Sequence, residues 1–187
     1  MRCLSPPQGG ELGIMSCMKP ARLWIYGLVT RLLPETRGFA FKAALLRWCG
    51  ARVGRHVRIG SSARFLGNGE LVIGDDVWIG EGNLIYAVAP ASVTIGGHCD
   101  FGPRVMVLTG SHRVDVTGPH IAGEGFAADV VVGDGCWLGA RSLILPGVVL
   151  AEKTLVAAGA VVTRGTGMPG QLVTGVPAAV KKELLAQ

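Results

Sequence analysis

Aromatic residues are scarce: four Trp, two Tyr and five Phe in 187 residues. A wide core filled by large rings is therefore excluded. Charged residues make up only 17% while hydrophobic ones reach 49%, so the composition is not that of an unfolded, self-repelling chain. No apolar run reaches the roughly 20 residues of a membrane-spanning helix; the stretch from Trp24 to Val29 is far too short. The 29 glycines do not recur at every third position, which excludes a collagen helix. Pro6, Pro7, Gly9, Gly10 and Glu11 interrupt any apolar stretch of the kind a secretory signal needs. Cys3, Cys17, Cys49, Cys99 and Cys136 lack the spacing of metal ligands, and reduced thiols in a cytoplasmic protein are expected.

What the chain does have is a repeat. Apolar residues fall at Val53, Ile59 and Phe65, then at Ile73, Ile79 and Ile85, then at Ile95, Phe101 and Val107. Two more sets follow: Val132, Leu138, Ile144 and Leu150, Val156, Val162. Within each set the step is six residues. Glycine follows the first two members of the first four sets, as at Gly54 and Gly60 or Gly74 and Gly80, and never the third. The full period is therefore eighteen, three hexapeptides to a triangular coil, with glycine expected at corners because it tolerates unusual backbone angles. Extra residues are inserted after Phe65, Ile85 and Val107, always behind the third strand, so they stack along one edge of the prism. The period is not 3.6 and glycine is too frequent for helices. The expected fold is all-β, a parallel β-helix of about five triangular coils over residues 51–165, with a loop at 108–131.

The ends differ from the middle. Residues 1–20 read as disordered, and 21–50 as a helical cap split by Pro34, with Phe41, Leu45 and Trp48 on one apolar face. Residues 166–187 read as an extended segment ending in a short helix from Ala178. Residues 1–60 hold ten Lys/Arg and two Asp/Glu, a net charge of +8, against −3 for the remainder. Such asymmetry suits weak contact with an anionic membrane surface, at the inner face for a cytoplasmic protein, or with an anionic substrate; alternatively the basic side chains merely solvate the N-terminal helices. No nucleic-acid partner is expected.

His112 lies in the long insertion, five residues beyond Val107, the last inward residue of its coil, on a loop anchored to a rigid scaffold. Histidine there suits a general base. His56 and His98 fall at corners, and His120 is a second candidate in the loop. The histidines show no metal-ligand spacing, and no metal is expected. Asn83 interrupts a row of small and apolar inward residues, where an amide needs a partner or orients something else. Trp78 and Trp137 stand one residue before inward positions and so point outward, as walls for a sugar or a pantetheine arm.

Several segments carry a family likeness: Leu-Pro-Glu-Thr-Arg (33–37), Gly-Asn-Leu (82–84), Thr-Gly-Ser-His (109–112) and Gly-Asp-Gly-Cys-Trp-Leu-Gly (133–139). Pro-Gly-Val (146–148), Ala-Ala-Gly-Ala-Val-Val-Thr (157–163) and Gly-Val-Pro-Ala (175–178) complete the set. Over residues 30–182 the chain resembles the left-handed β-helix hexapeptide-repeat acetyltransferases, nearest the type that O-acetylates colanic acid and other exopolysaccharides. The resemblance implies a left-handed coil, a homotrimer, acetyl-CoA as cosubstrate and a sugar or glycan acceptor. It implies His112 as base, Asn83 as substrate-binding residue, Trp137 as cleft wall and the Ala140 N–H as oxyanion donor. It places Gly139, Ala158 and Thr163 along the cofactor, with Lys181 and Lys182 near its phosphates. N-acetylation of an amino sugar, nucleotide-linked or free, is the alternative the same fold allows. The chain departs from the family at Arg113, where Asp often follows the histidine, and Asp115 is then expected to orient the imidazole and meet the acceptor. It departs also at Arg164-Gly165 and Ala179.

Overall fold

The computed structural model describes residues 17–184. Each coil lays one short strand on each of three faces. The first coil is β1 (Arg52–Val53), β2 (Arg58–Ile59) and β3 (Arg64–Gly67); the second is β4 (Glu70–Ile73), β5 (Trp78–Ile79) and β6 (Leu84–Ala87). The third is β7 (Ser92–Ile95), β8 (Asp100–Phe101) and β9 (Met106–Leu108). A hairpin, β10 (Gly110–Val114) and β11 (Ala122–Ala127), interrupts the helix before the fourth coil, β12 (Val130–Val132), β13 (Trp137–Leu138) and β14 (Leu143–Ile144). The fifth is β15 (Val149–Leu150), β16 (Leu155–Val156) and β17 (Val161–Val162), and β18 (Gln171–Gly175) adds a further rung before β19 (Ala178–Glu183) folds back on it.

Parallel ladders join the strands into faces ordered β1-β4-β7-β12-β15, β2-β5-β8-β13-β16-β18 and β3-β6-β9-β14-β17. The turns therefore number about six, not five: five complete coils and a partial sixth. The inward register is that of the hexapeptides. Ile59, Ile79, Phe101, Leu138 and Val156 pair in order up the second face, and all are fully buried.

The repeat glycines serve a purpose other than the expected one. None of those that follow an inward residue has a positive φ; the left-handed corner positions are held by His56, Asp76, His98, Arg104, Arg141 and Lys153, and by a different set of glycines, Gly82, Gly135, Gly147 and Gly159. Each repeat glycine is needed because neighbouring coils touch there. A Cβ on Gly74 would lie 2.6 Å from Gly97 N, and one on Gly80 2.7 Å from Phe101 O. The two sites where alanine replaces glycine lie at the end of the stack: no further strand of the first face follows Ala151, and β18 is the last parallel rung beyond Ala157.

The lower end is closed by α1 (Pro20–Thr30) and α2 (Phe39–Trp48). Leu23, Tyr26, Leu46 and Cys49 join the same core as the coils, and Tyr26 meets Phe65 edge-on at 5.6 Å. The face of α2 expected to be buried is rotated: Lys42, Ala43 and Leu46 are buried, while Phe41 and Trp48 are exposed. The reason is the Lys42 ammonium. It donates to Glu35 O at 2.9 Å and Ser61 Oγ at 3.1 Å, and so joins the helix to the first coil. Burial lowers its pKa, and the charge of Glu35 opposes the shift.

Other end-segment expectations also change. Residues 1–16 lie outside the described part, but Met18 is buried and its N–H donates to Gly69 O. Cys17 is disulfide-bonded, against the expectation of thiols throughout, whereas Cys49, Cys99 and Cys136 are free and buried. The short helix expected from Ala178 is strand β19, because its backbone pairs antiparallel with β18. Among the described residues no helix is long and apolar enough to cross a membrane.

Candidate active site

The three insertions stack on the edge between the third and first faces. Gly69 N–H donates to Ala87 O, Ala89 N–H to Asn68 Oδ1, and Val88 N–H to Thr109 Oγ1 at 2.7 Å. The fully buried Thr109 thereby fastens the root of the long insertion to the coil below. That insertion is a hairpin and not an open loop: Gly110 pairs with Ala127, Ser111 with Phe126 and His112 with Gly125.

The hairpin register fixes His112. Its Nδ1 lies 2.9 Å from Gly123 O, so the ring donates from Nδ1 and presents Nε2 as the basic nitrogen. Among the described residues Nε2 has no partner. The residue lines a cavity of about 340 Å³ together with Tyr86, Val88, Pro90 and Phe126. Asp115 does not orient the imidazole. Its Oδ1 accepts from Thr117 N–H, Thr117 Oγ1 and Gly118 N–H, and these bonds hold its carboxyl below the usual carboxylate range. It closes a turn at the far end of the arm. Arg113, beside the histidine, lies over the Phe126 ring at 5.7 Å.

Asn83 is not open to a substrate. It is buried inside the second coil, and its Nδ2 donates to Gly80 O at 2.8 Å and Gly102 O at 3.0 Å. Two carbonyls at one end fix which end is the NH₂. The amide ties two coils at adjacent corners, which is the bland reading of a polar residue in an apolar row. Asn83→Ala should lower stability by about 1–3 kcal/mol through the unpaired carbonyls and leave kcat of the folded protein near the parental value. Chemical denaturation alongside turnover checks both.

The remaining residues gather elsewhere. Trp137 is exposed on the second face, and the ladder Trp137, Leu155, Leu172, Lys182 runs up that face in register. With strands about 4.8 Å apart, Trp137 and Lys182 are about 14 Å apart along one row, with Lys181 adjacent. Gly139 is buried, and a Cβ there would lie 2.5 Å from Ala158 N. Ala140 and Ala158 stack at the edge between the second and third faces, where Gly159 N–H donates to Ala140 O. Among the described residues the Ala140 N–H has no acceptor, and it borders a shallow 230 Å³ groove with Glu81, Arg104 and Arg141. Thr163 is exposed at the other edge, beyond β17. One chain thus holds His112 and Ala140 on opposite edges of the third face, a hexapeptide or up to about 20 Å apart. Among the described residues no group of three His, Cys, Asp or Glu could hold a metal ion.

Comparison with known proteins decides the family. Residues 129–164 match the model of the hexapeptide repeat of succinyl-transferase. The chain is 32% identical over 146 residues to the putative colanic acid biosynthesis acetyltransferase WcaF of Escherichia coli, covering 78% of this chain and 76% of that one. It is a hexapeptide-repeat acetyltransferase. This acetyltransferase is also 32% identical over 120 residues to a galactoside O-acetyltransferase of Lactococcus lactis, covering 59% and 55% of the two chains. Its left-handed β-helix is shared with a Vibrio cholerae hexapeptide-repeat acetyltransferase solved with acetyl coenzyme A. That match has a TM-score of 0.62 at 23% identity and covers 88% and 86% of the chains. A Bacillus cereus N-acyltransferase solved with dTDP and coenzyme A aligns with a TM-score of 0.61 at 19% identity, covering 81% and 91%.

Tyr86, Val88, Phe126 and the Gly123 carbonyl were not foreseen as site groups. Tyr86 had a signal, being a large outward residue on the coil beneath the insertion. Gly123 had none, since its role depends on hairpin register.

Proposed function

We propose that this acetyltransferase transfers an acetyl group from acetyl-CoA to a sugar hydroxyl in polysaccharide or lipopolysaccharide biosynthesis, with His112 as general base. The observation that carries the reading is the imidazole itself. Gly123 O holds Nδ1, and His112 lines a cavity with aromatic walls; such walls suit the apolar face of a sugar ring. The named relatives are a putative colanic acid biosynthesis acetyltransferase and a galactoside O-acetyltransferase.

Bound acetyl-CoA supplies the thioester. Trp137 would wall its pantetheine arm, and Lys181 and Lys182, farther up the same face, would meet its phosphates. His112 Nε2 takes the proton of the acceptor hydroxyl as the oxygen bonds to the acetyl carbon, then returns it to the departing sulfur. Base assistance of this kind is worth roughly 10²–10⁴-fold. The Ala140 N–H donates to the oxyanion that develops, a contribution of about 2.7–4 kcal/mol for donors of this type. Since one chain holds His112 and Ala140 at opposite edges, the reading includes a homotrimer whose sites take His112 from one subunit and Trp137 with Ala140 from the next.

Thiol release from acetyl-CoA, measured with a panel of sugars, amino sugars and lipid-linked glycans, tests the acceptor. Turnover only with amino sugars would replace O- by N-acetylation. Mixing inactive His112→Ala and Trp137→Ala subunits tests the shared site: activity should return in mixed oligomers, because some interfaces then hold both native residues. No recovery, or a monomer in sedimentation, would refute the arrangement.

A further inference from the structure

One apolar cavity lies away from the active site. It lies between α1 and the first coil, with a volume of about 490 Å³, the size of a small-molecule site. Trp24, Gly27 and Leu28 line it from α1, and Phe65 from β3. Trp24 is 68% exposed and Leu28 45% exposed, and the adjacent Leu32 is 87% exposed. An apolar helix face therefore continues from the cavity into solvent.

Gly27 is the informative residue. Glycine is disfavoured within a helix, and it persists usually where a side chain would collide. Here a Cβ would meet nothing within 4 Å, and φ is not positive. No atom of the described chain needs the space that Gly27 leaves. On the same helix Tyr26 and Thr30 line the cavity, both 1% exposed, and their hydroxyls have no partner among the described residues. Arg31 and Arg64 also line it and are exposed, and among the described residues neither has an ion-pair partner. Apolar space and unpaired guanidinium groups match an acyl chain and a phosphate in that order.

We propose that this face binds an anionic glycerophospholipid of a membrane, one acyl chain of which lies in the cavity over Gly27 with the phosphate between Arg31 and Arg64. Residues 1–60 carry a net charge of +8, which favours approach to an anionic bilayer, and α1 would lie in the interface without spanning it.

Co-sedimentation of the full chain with vesicles tests this. Binding is expected to phosphatidylcholine vesicles containing phosphatidylglycerol and not to phosphatidylcholine alone. It should weaken as the Debye length falls from about 10 Å at 0.1 M salt to about 3 Å at 1 M. Gly27→Leu fills the cavity without altering charge and should reduce affinity by about 10-fold, as expected for losing roughly two methylenes of burial. Its Tm should hold or rise, which shows that the fold is intact. The Arg31→Gln, Arg64→Gln double variant should reduce affinity similarly. Equal binding to both vesicle types, no binding at low salt, or no effect of Gly27→Leu would overturn the proposal. So would self-association without lipid that Gly27→Leu abolishes, since a second copy would then occupy the face. Acetyl transfer to a soluble acceptor is measured separately and survives any of these outcomes.

Discussion

Replacing His112 by alanine should lower kcat by at least about 10²-fold while the affinity for acetyl-CoA and the Tm stay near parental values. The separation follows from where the ring sits. His112 is on the exposed arm of a hairpin, and its one hydrogen bond goes to Gly123 O. No core contact depends on it, and the row from Trp137 to Lys182 lies on another face. A loss confined to kcat and kcat/KM is the mark of a group acting in the transition state. Asp115→Asn provides the contrast. Its carboxylate serves the turn at Thr117 and Gly118, so turnover should remain close to parental. If Asp115→Asn lost as much as His112→Ala, the carboxylate would be acting on the imidazole after all. If His112→Ala kept most of its turnover, the base would lie elsewhere.

The contrast also marks how far the sequence could be read. The position of His112 was legible because a long insertion at a fixed edge, carrying a histidine near its root, needs only the six-residue count. Asp115 was misplaced because its distance from His112 depends on the hairpin, whose register shifts between His112 and Val114. Asn83 was legible as an anomaly, but its direction was not: inward placement followed from the repeat, while a substrate role followed only from likeness. In α2 the spacing of Phe41, Leu45 and Trp48 suggested a buried stripe. Lys42, bonded to Glu35 and Ser61, turned the helix the other way. A charged side chain that finds two acceptors can outweigh apolar periodicity on a short helix, because the stripe itself contributes only a few contacts. The six-residue period is robust by comparison, since every coil repeats the same constraint.

Gly74→Val should cost about 3 kcal/mol or more, at the upper end of the range for overpacking. For a chain of this size that is a fall in Tm of about 6–12 °C. A Cβ at Gly74 would lie 2.6 Å from Gly97 N, 2.8 Å from Gly96 C and 2.9 Å from Gly97 Cα. All three are backbone atoms, so no rotamer change relieves the contact. The second and third coils would have to separate, which strains the ladder bonds Gly74 N–H to Ile95 O and His98 N–H to Asp75 O on either side. If glycine were present only for its backbone freedom, valine should be tolerated, because Gly74 has no positive φ. Gly27→Ala is the matched control. It adds a Cβ where nothing lies within 4 Å and should be neutral or stabilising by about 0.5–1 kcal/mol. Thermal scans of both variants at one protein concentration decide the matter. A small effect at Gly74 would mean that the coils can shift apart at little cost, and that inter-coil contact is not what the repeat glycines secure.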